Sequence, residues 1–357
     1  MTLDVVAFPQ DPNPYQELLY AELRKRGDRI AYAGRLTPSR TLNLLALPLE
    51  LLVRRLRGAS VFHLHWAFGF SFPPPVPRSL SRRWFELILA VLRACRYRVV
   101  WTAHNVLPHE PVFDDDRTAR RSLVSACDLV IAHSEHALAG LRELGAAPAN
   151  AAVMPLGPMA PDGLAGIAPP AASRPRSLLF AGRIAAYKGV EDLLAALGEP
   201  GPELRVTIVG ACVDAELRLR LQLAAASLGD DVSLRLGFVS DAELVGLLTA
   251  ADGVVLPFRS VTTSSSVLLG MAAGRMLVIP DLAQLSAVPQ DAALRYPPGV
   301  DGLRAALRAF AEMPADDLRA RGEAARRAAA PATWARVATM TRDAIAGGRP
   351  PVGTVQP

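Results

Sequence analysis

The sequence predicts an α/β protein built as two Rossmann-like, doubly wound domains facing a central cleft. Three observations carry that expectation. At 357 residues the chain exceeds what one hydrophobic core usually organises. With 51% hydrophobic and 20% charged residues, disordered and fibrous classes are excluded. Short apolar runs followed by helical stretches recur along the chain, which is the signature of parallel strands covered by helices.

The first unit, expected over residues 1–160, opens with a strand ending at Phe8 and a helix from Tyr15. Asn13 can cap that helix with Pro14 at its first position. Further strands are expected from Val61, Arg98, Leu129 and Ala152. Residues 161–176 are rich in proline, alanine and glycine without a periodic apolar face, and read as a linker. Strands from Ser177, Arg205, Ser233, Gly253 and Met276 then make a second unit, 177–330. The closing stretch, residues 331–357, is a helix and tail that can pack on either unit.

Several classes fall away on composition. The apolar runs Leu42 to Val53 and Trp84 to Leu92 fall short of the roughly 20 residues a membrane span needs. The N-terminal MTLDVVAF lacks the pattern of a secretory signal, so a cytoplasmic protein is expected, or one peripheral at the inner face of the membrane. Cys95, Cys127 and Cys212 are widely spaced and suggest neither disulfides nor zinc. A net charge of +5, spread along helices, disfavours nucleic acid as a partner and suits an anionic small ligand or lipid surface. Peripheral membrane contact is expected at residues 78–98, where Arg78, Arg82, Arg83 and Trp84 adjoin an apolar helix; the structural alternative is a core helix.

Chemistry gathers after strands, where open parallel sheets bind ligands. In LLFAGRIAAYKGVEDLLAAL, Gly182 lets a phosphate approach the backbone, and Arg183 and Lys188 can neutralise two linked phosphates from one side. The alternative is an ordinary turn with solvated charges. A hydroxyl-rich turn, Thr262, Thr263, Ser264, Ser265 and Ser266, leads into a helix whose free N–H groups suit phosphate or sugar oxygens, although one serine would suffice as a cap. WTAHNVLPHEP sets His104, Asn105, His109 and Glu110 after a strand, where they can orient a sugar or move a proton. His63 and His65 share one face of VFHLHW without a third ligand at metal spacing, and read as structural or cleft-lining. No G-x-G-x-x-G follows the first strand, which disfavours a dinucleotide dehydrogenase.

These pieces, with NPYQELLYAELRKRG, LVIAHSE and GFVSDAELVGLLTAADGVVLPF, resemble in order and spacing the bacterial GT-B glycosyltransferases of family 4, the group 1 transferases, especially those of exopolysaccharide assembly. The resemblance spans nearly the whole chain. It implies transfer of a sugar from a nucleoside diphosphate sugar, UDP or GDP, to a saccharide, lipid-linked or small-molecule natural-product acceptor, with no cofactor and no metal. It places the nucleotide mainly on the second domain and the acceptor mainly on the first, where Asn13, Tyr15 and Asn105 are acceptor-side candidates. Arg183 and Lys188 match its diphosphate contacts, His104 its histidine near the donor sugar, and the backbone around Phe238 its base site.

One departure stands out. Two glutamates common in the family are replaced here by Val261 and Leu269, and the hydroxyl cluster is similar to a variant loop of some exopolysaccharide transferases, including ones resembling β-mannosyltransferases. Retention and inversion therefore stay open. An inverting reaction needs a general base, for which Glu110 and His109 are the candidates, followed by Asp114 to Asp116. The alternatives are a nucleotide-sugar epimerase or hydrolase of the same architecture, and a non-catalytic partner protein.

Overall fold

The computed structural model describes residues 2–11, 13–108, 110–157, 159, 164–171, 175–198, 203–261 and 264–347. They form two compact units, one taking in Met1–Gly157 and the segment from Thr333, the other Pro158–Ala332. Each unit is an α/β layer structure around a six-stranded sheet whose strand pairs are all parallel.

The first unit runs β1 (Asp4–Phe8), α1 (Pro14–Lys25), β2 (Arg29–Tyr32), α2 (Arg40–Leu56), β3 (Val61–Leu64), α3 (Arg78–Ala94), β4 (Arg98–Ala103), α4 (Asp116–Ala126), β5 (Leu129–Ala132), α5 (Glu135–Glu143) and β6 (Ala151–Val153). Its strands lie in the order β2-β1-β3-β4-β5-β6. Successive strand residues point to opposite faces, and both faces are covered, so the strands are apolar throughout. Val6, Phe8, Phe62 and Trp101 pack under α2 to α5, while Val5, Val61, Val100 and Ile131 form the other core.

The second unit runs β7 (Arg176–Ala181), α6 (Val190–Leu197), β8 (Leu204–Val209), α7 (Ala215–Ala226), β9 (Val232–Arg235), α8 (Asp241–Ala250), β10 (Gly253–Val255), α9 (Ser265–Ala272), β11 (Met276–Pro280), β12 (Ala293–Tyr296), α10 (Val300–Glu312) and α11 (Ala315–Ala329). Its strand order is β12-β11-β10-β7-β8-β9. Read from β9, that is the doubly wound order whose direction reverses between β7 and β10, and ligands bind beyond the carboxyl ends of such a pair. The corresponding reversal in the first sheet falls between β1 and β3.

The last helix, α12 (Trp334–Ala346), returns to the first unit. Its Met340, Ala344 and Ile345 join the core of Val5 and Ile131, and Arg342 Nε donates to the buried Asp28 at 3.0 Å. Two short edge strands, β2 and β12, were not expected. Each is four residues long, and RIAY and ALRY carry too few apolar positions for a clear pattern.

Candidate active site

In the second unit, the loops after β7 and β10 meet over three glycines. Gly182, at φ +145°, has no room for a β-carbon, which would come 2.8 Å from Ser266 Oγ; that hydroxyl donates to the Ala181 carbonyl at 3.0 Å. Gly210, at φ +152°, brings its own backbone against the Gly182 carbonyl, where a β-carbon would sit at 1.8 Å. Gly189, at φ +69°, lies equally close to the Pro257 carbonyl. The close approach of these backbones draws Arg183, Lys188, Phe258 and the start of α9 to one end of the sheet.

The charges at this end are unusual in what they lack. Arg259 is held bidentately by Asp192 at 2.7 Å and also reaches Glu191, while Arg220 pairs with Glu191 at 2.9 Å. Among the described residues, no carboxylate pairs with Arg183 or Lys188. Lys188 Nζ instead lies over the Phe258 ring at 4.5 Å from its centre. Burial, with a smaller push from the Arg183 charge, drives the Lys188 ammonium down to about 8. At the start of α9, Ser264 stands at the cap position without capping, and its Oγ is buried with no hydrogen-bond partner. Two cations, an unused hydroxyl and a helix N-terminus are together the donor set of an anion site.

The first unit presents the opposite chemistry beyond β3, β4 and β5. His65, His104 and His133 surround Tyr15, each ring edge-on to it at 4.7 to 5.7 Å, and Trp334 closes a fourth side at 5.2 Å. Trp66 stacks on His104 with centres 4.6 Å apart. Burial pushes all the histidines of this cluster down, His63 to about 3 and His133 to about 4, with His65 and His104 also well below the usual range. They are neutral at pH 7. Each neutral imidazole offers one donor and one acceptor, so His104 can bind a hydroxyl but brings no charge.

Residues 175–313 match the family model of the group 1 glycosyl transferases. That match lies within the second unit, which is thus similar to the group 1 glycosyl transferases. The chain is 27% identical over 229 residues to a GDP-mannose:glycolipid 4-beta-D-mannosyltransferase of Xanthomonas campestris pv. campestris, an alignment covering 62% of this chain and 61% of that protein. It thus spans about three-fifths of the length of that relative. A D-inositol 3-phosphate glycosyltransferase of Arthrobacter sp. (strain FB24) is 36% identical over 174 residues, 46% of this chain and 41% of that one. Among solved structures, sucrose-phosphate synthase from Thermosynechococcus elongatus superposes with a TM-score of 0.72 at 18% identity, covering 98% and 100% of the two chains. Anabaena HepE in complex with UDP and glucose gives 0.70 at 14%, covering 97% and 100%. The architecture is that of GT-B glycosyltransferases, as expected from the sequence.

Within the second unit, Gly182, Arg183, Lys188, Ser264, Ser265 and Ser266 lie at the ends of the adjacent strands β7 and β10. Phe238 follows the edge strand β9, two strands from β7, and its ring is 90% exposed. Thr262, Thr263 and His109 lie outside the described residues. The positions of the missing glutamates are buried: Val261 and Leu269 are part of the core.

In the first unit His104 follows β4 as expected, with Asn105 half-buried and Glu110 exposed beyond it. Asn13 is the helix cap that sequence suggested, accepting from the Tyr15 N–H at 3.0 Å. Tyr15 is 1% exposed among the rings, so it supports His104 and offers no surface to an acceptor. Asp114 to Asp116 are withdrawn as general-base candidates because each is engaged. Asp114 binds Arg82 bidentately, Asp115 caps α4, and Asp116 accepts from the Val112 and Phe113 N–H groups. In α3, Phe85, Ile88, Leu89 and Leu92 are core, Arg82 is paired and Trp84 Nε1 donates to the Leu44 carbonyl, while Arg78, Leu80, Arg83 and Leu87 stay exposed on the other face. His63 and His65 are structural, buried at 0% and 1% exposure.

Sequence reasoning missed Tyr20, Trp66, His133 and Trp334 as parts of the ring cluster. The nearest signal was the shared face of His63 and His65. Tyr20, five residues after Tyr15 on α1, carried none.

Proposed function

We propose that the chain transfers a sugar from a nucleoside diphosphate sugar to a saccharide or lipid-linked acceptor, with Arg183 and Lys188 holding the diphosphate. The observation that carries this reading is Lys188, a cation driven down to about 8 by burial and left without a carboxylate beside a glycine-opened strand end. A desolvated, unpaired ammonium is costly unless an anion completes it. Cleavage of the sugar–phosphate bond builds charge on the leaving diphosphate, so fixed cations there act most strongly in the transition state. His104 faces the transferred sugar as a neutral hydrogen-bonding group, and the backbone near Phe238 receives the base. The mannosyltransferase relative uses GDP-mannose and a glycolipid by its name, which favours a GDP-sugar and a lipid-linked acceptor here. A panel of UDP-, GDP- and dTDP-sugars tests the donor. One of them should stabilise the fold by about 2.7 kcal/mol at a hundred times its dissociation constant. If none raises the melting temperature, the donor reading falls.

We also place the first unit against an anionic membrane, through α2. Leu42, Leu45, Leu49, Leu52 and Leu56 are exposed along that helix, its single carboxylate, Glu50, is buried, and the exposed Arg57 follows its end. An apolar stripe with basic flanks and no exposed acid suits the interface of anionic lipid. Among the described residues no helix is long and apolar enough to cross the membrane. Co-sedimentation with anionic vesicles at low salt should capture the protein, and Leu49→Glu with Leu56→Glu should release it. Wild type left in the supernatant overturns this placement.

A further inference from the structure

Behind His104 the ring cluster continues as an unbroken hydrogen-bonded chain. His104 Nε2 lies 3.2 Å from His65 Nδ1, and His65 Nε2 lies 2.8 Å from the Tyr20 hydroxyl. The same hydroxyl lies 3.0 Å from His63 Nδ1, and His63 Nε2 lies 2.8 Å from Thr102 Oγ1. Tyr20, His63 and Thr102 are fully buried and His65 is 1% exposed, so water does not supply alternative partners.

The chemistry of the links constrains the protons. A neutral imidazole has one N–H and one bare nitrogen, and a phenol has one proton to give. Tyr20 can therefore donate to only one of its two histidines and must accept from the other. Following the links outward, if His63 carries its proton on Nδ1, then Tyr20 donates to His65 Nε2, His65 carries its proton on Nδ1, and His104 must accept on Nε2. The reverse orientation puts all three protons on Nε2. Mixed sets leave a buried donor facing a donor, or two acceptors facing each other, which costs the full desolvation of an unmade bond.

We infer that Tyr20, His63 and His65 are positioning residues that tie the tautomer of His104 to their own, so that all three imidazoles carry their proton on the same ring nitrogen. With the protons on Nδ1, His104 turns a hydrogen-bond donor toward a sugar hydroxyl oxygen; with the protons on Nε2, it turns a bare nitrogen toward the hydroxyl proton. This inference rests on the assignment of His104 to the sugar, but the arrangement of protons is measurable without any substrate.

The test is nuclear magnetic resonance of the wild-type chain labelled with 15N-histidine, using long-range proton–nitrogen correlations at neutral pH. His133 serves as an internal reference, because its Nδ1 lies 3.2 Å from the Met154 carbonyl, which can only accept. The expected spectrum has His63, His65 and His104 all protonated on the same ring nitrogen. A mixed set overturns the inference. In Tyr20→Phe the outer half of the chain loses its tie to His63, and His65 and His104 should become mixtures of both forms while His133 is unchanged. A folded Tyr20→Phe protein that keeps the wild-type pattern also overturns it, and if that variant does not fold, the wild-type spectrum decides alone. Because no donor sugar enters the measurement, a failed tautomer pattern and a failed transferase activity are separate results.

Discussion

The two units place their functional groups at equivalent positions, beyond the carboxyl ends of parallel strands, and fill them in opposite ways. In the first unit the space is occupied by neutral, closely packed rings, His65, His104, His133, Tyr15 and Trp66, among which only His133 Nε2 is buried without a hydrogen-bond partner. In the second, glycines clear the floor, and Arg183, Lys188 and Ser264 keep unused bonding capacity. The contrast separates two ways of preparing a site. One end is filled by neutral side chains and offers a ligand hydrogen bonds without charge; the other is incomplete until an anion arrives.

The largest expected effects fall on the incomplete end. Removing one preorganised donor to a developing oxyanion costs on the order of 3 kcal/mol, so Arg183→Ala and Lys188→Ala should each lower turnover about a hundredfold or more. Arg183→Lys should recover only part of this, since an ammonium cannot form a bidentate fork. Steady-state kinetics on folded variants checks both, and wild-type turnover in either alanine variant would erase the contrast. Next in size is the glycine floor. Gly210→Ala meets a backbone carbonyl at 1.8 Å at positive φ and should cost about 2–3 kcal/mol. That corresponds to a melting point lower by about 5–10 °C, readable by calorimetry.

The neutral end predicts a smaller, pH-dependent effect. All six histidines and all four tryptophans of the chain belong to the first unit. Below about 6.5 the unfolded chain takes up protons that the buried imidazoles refuse, so stability falls as the pH falls. His63, fully buried and pushed to about 3, accounts for about 2 kcal/mol of that loss by pH 5. Thermal melts followed by tryptophan fluorescence should therefore drop steadily between pH 7 and 4.5. A flat melting point over that interval would mean the histidines are not held neutral by the fold.

The two ends were also unequally legible. The loop from Gly182 to Lys188 could be read because strand, glycine, two basic residues and helix are contiguous, and the need for them is local. Ser266 was within reach for the same reason, being one of five consecutive hydroxyls. The ring cluster was not, since Tyr20, His65, His104, His133 and Trp334 come from five separate elements and meet only through strand order. His104 was found from its position after a strand, but nothing in the sequence tied it to Tyr20. Surface character was partly legible for a related reason. Arg82 and Trp84 look exposed in a linear reading, yet Asp114 and the Leu44 carbonyl hold them, whereas α2, interrupted by Pro48, carries a longer row of exposed leucines than the Leu80 and Leu87 of α3.

The central claim is that Lys188 is an uncompensated cation awaiting a diphosphate, and calorimetric titration of GDP and UDP across pH 6.5 to 9.5 tests it most directly. Only the protonated amine pairs with phosphate, and its value in the free protein is about 8, so affinity should hold below that pH and then fall by up to about tenfold per unit above it. Lys188→Ala should bind more weakly and show no such bend. Nucleotide binding that is independent of pH in the wild type and unchanged in the variant would contradict the account.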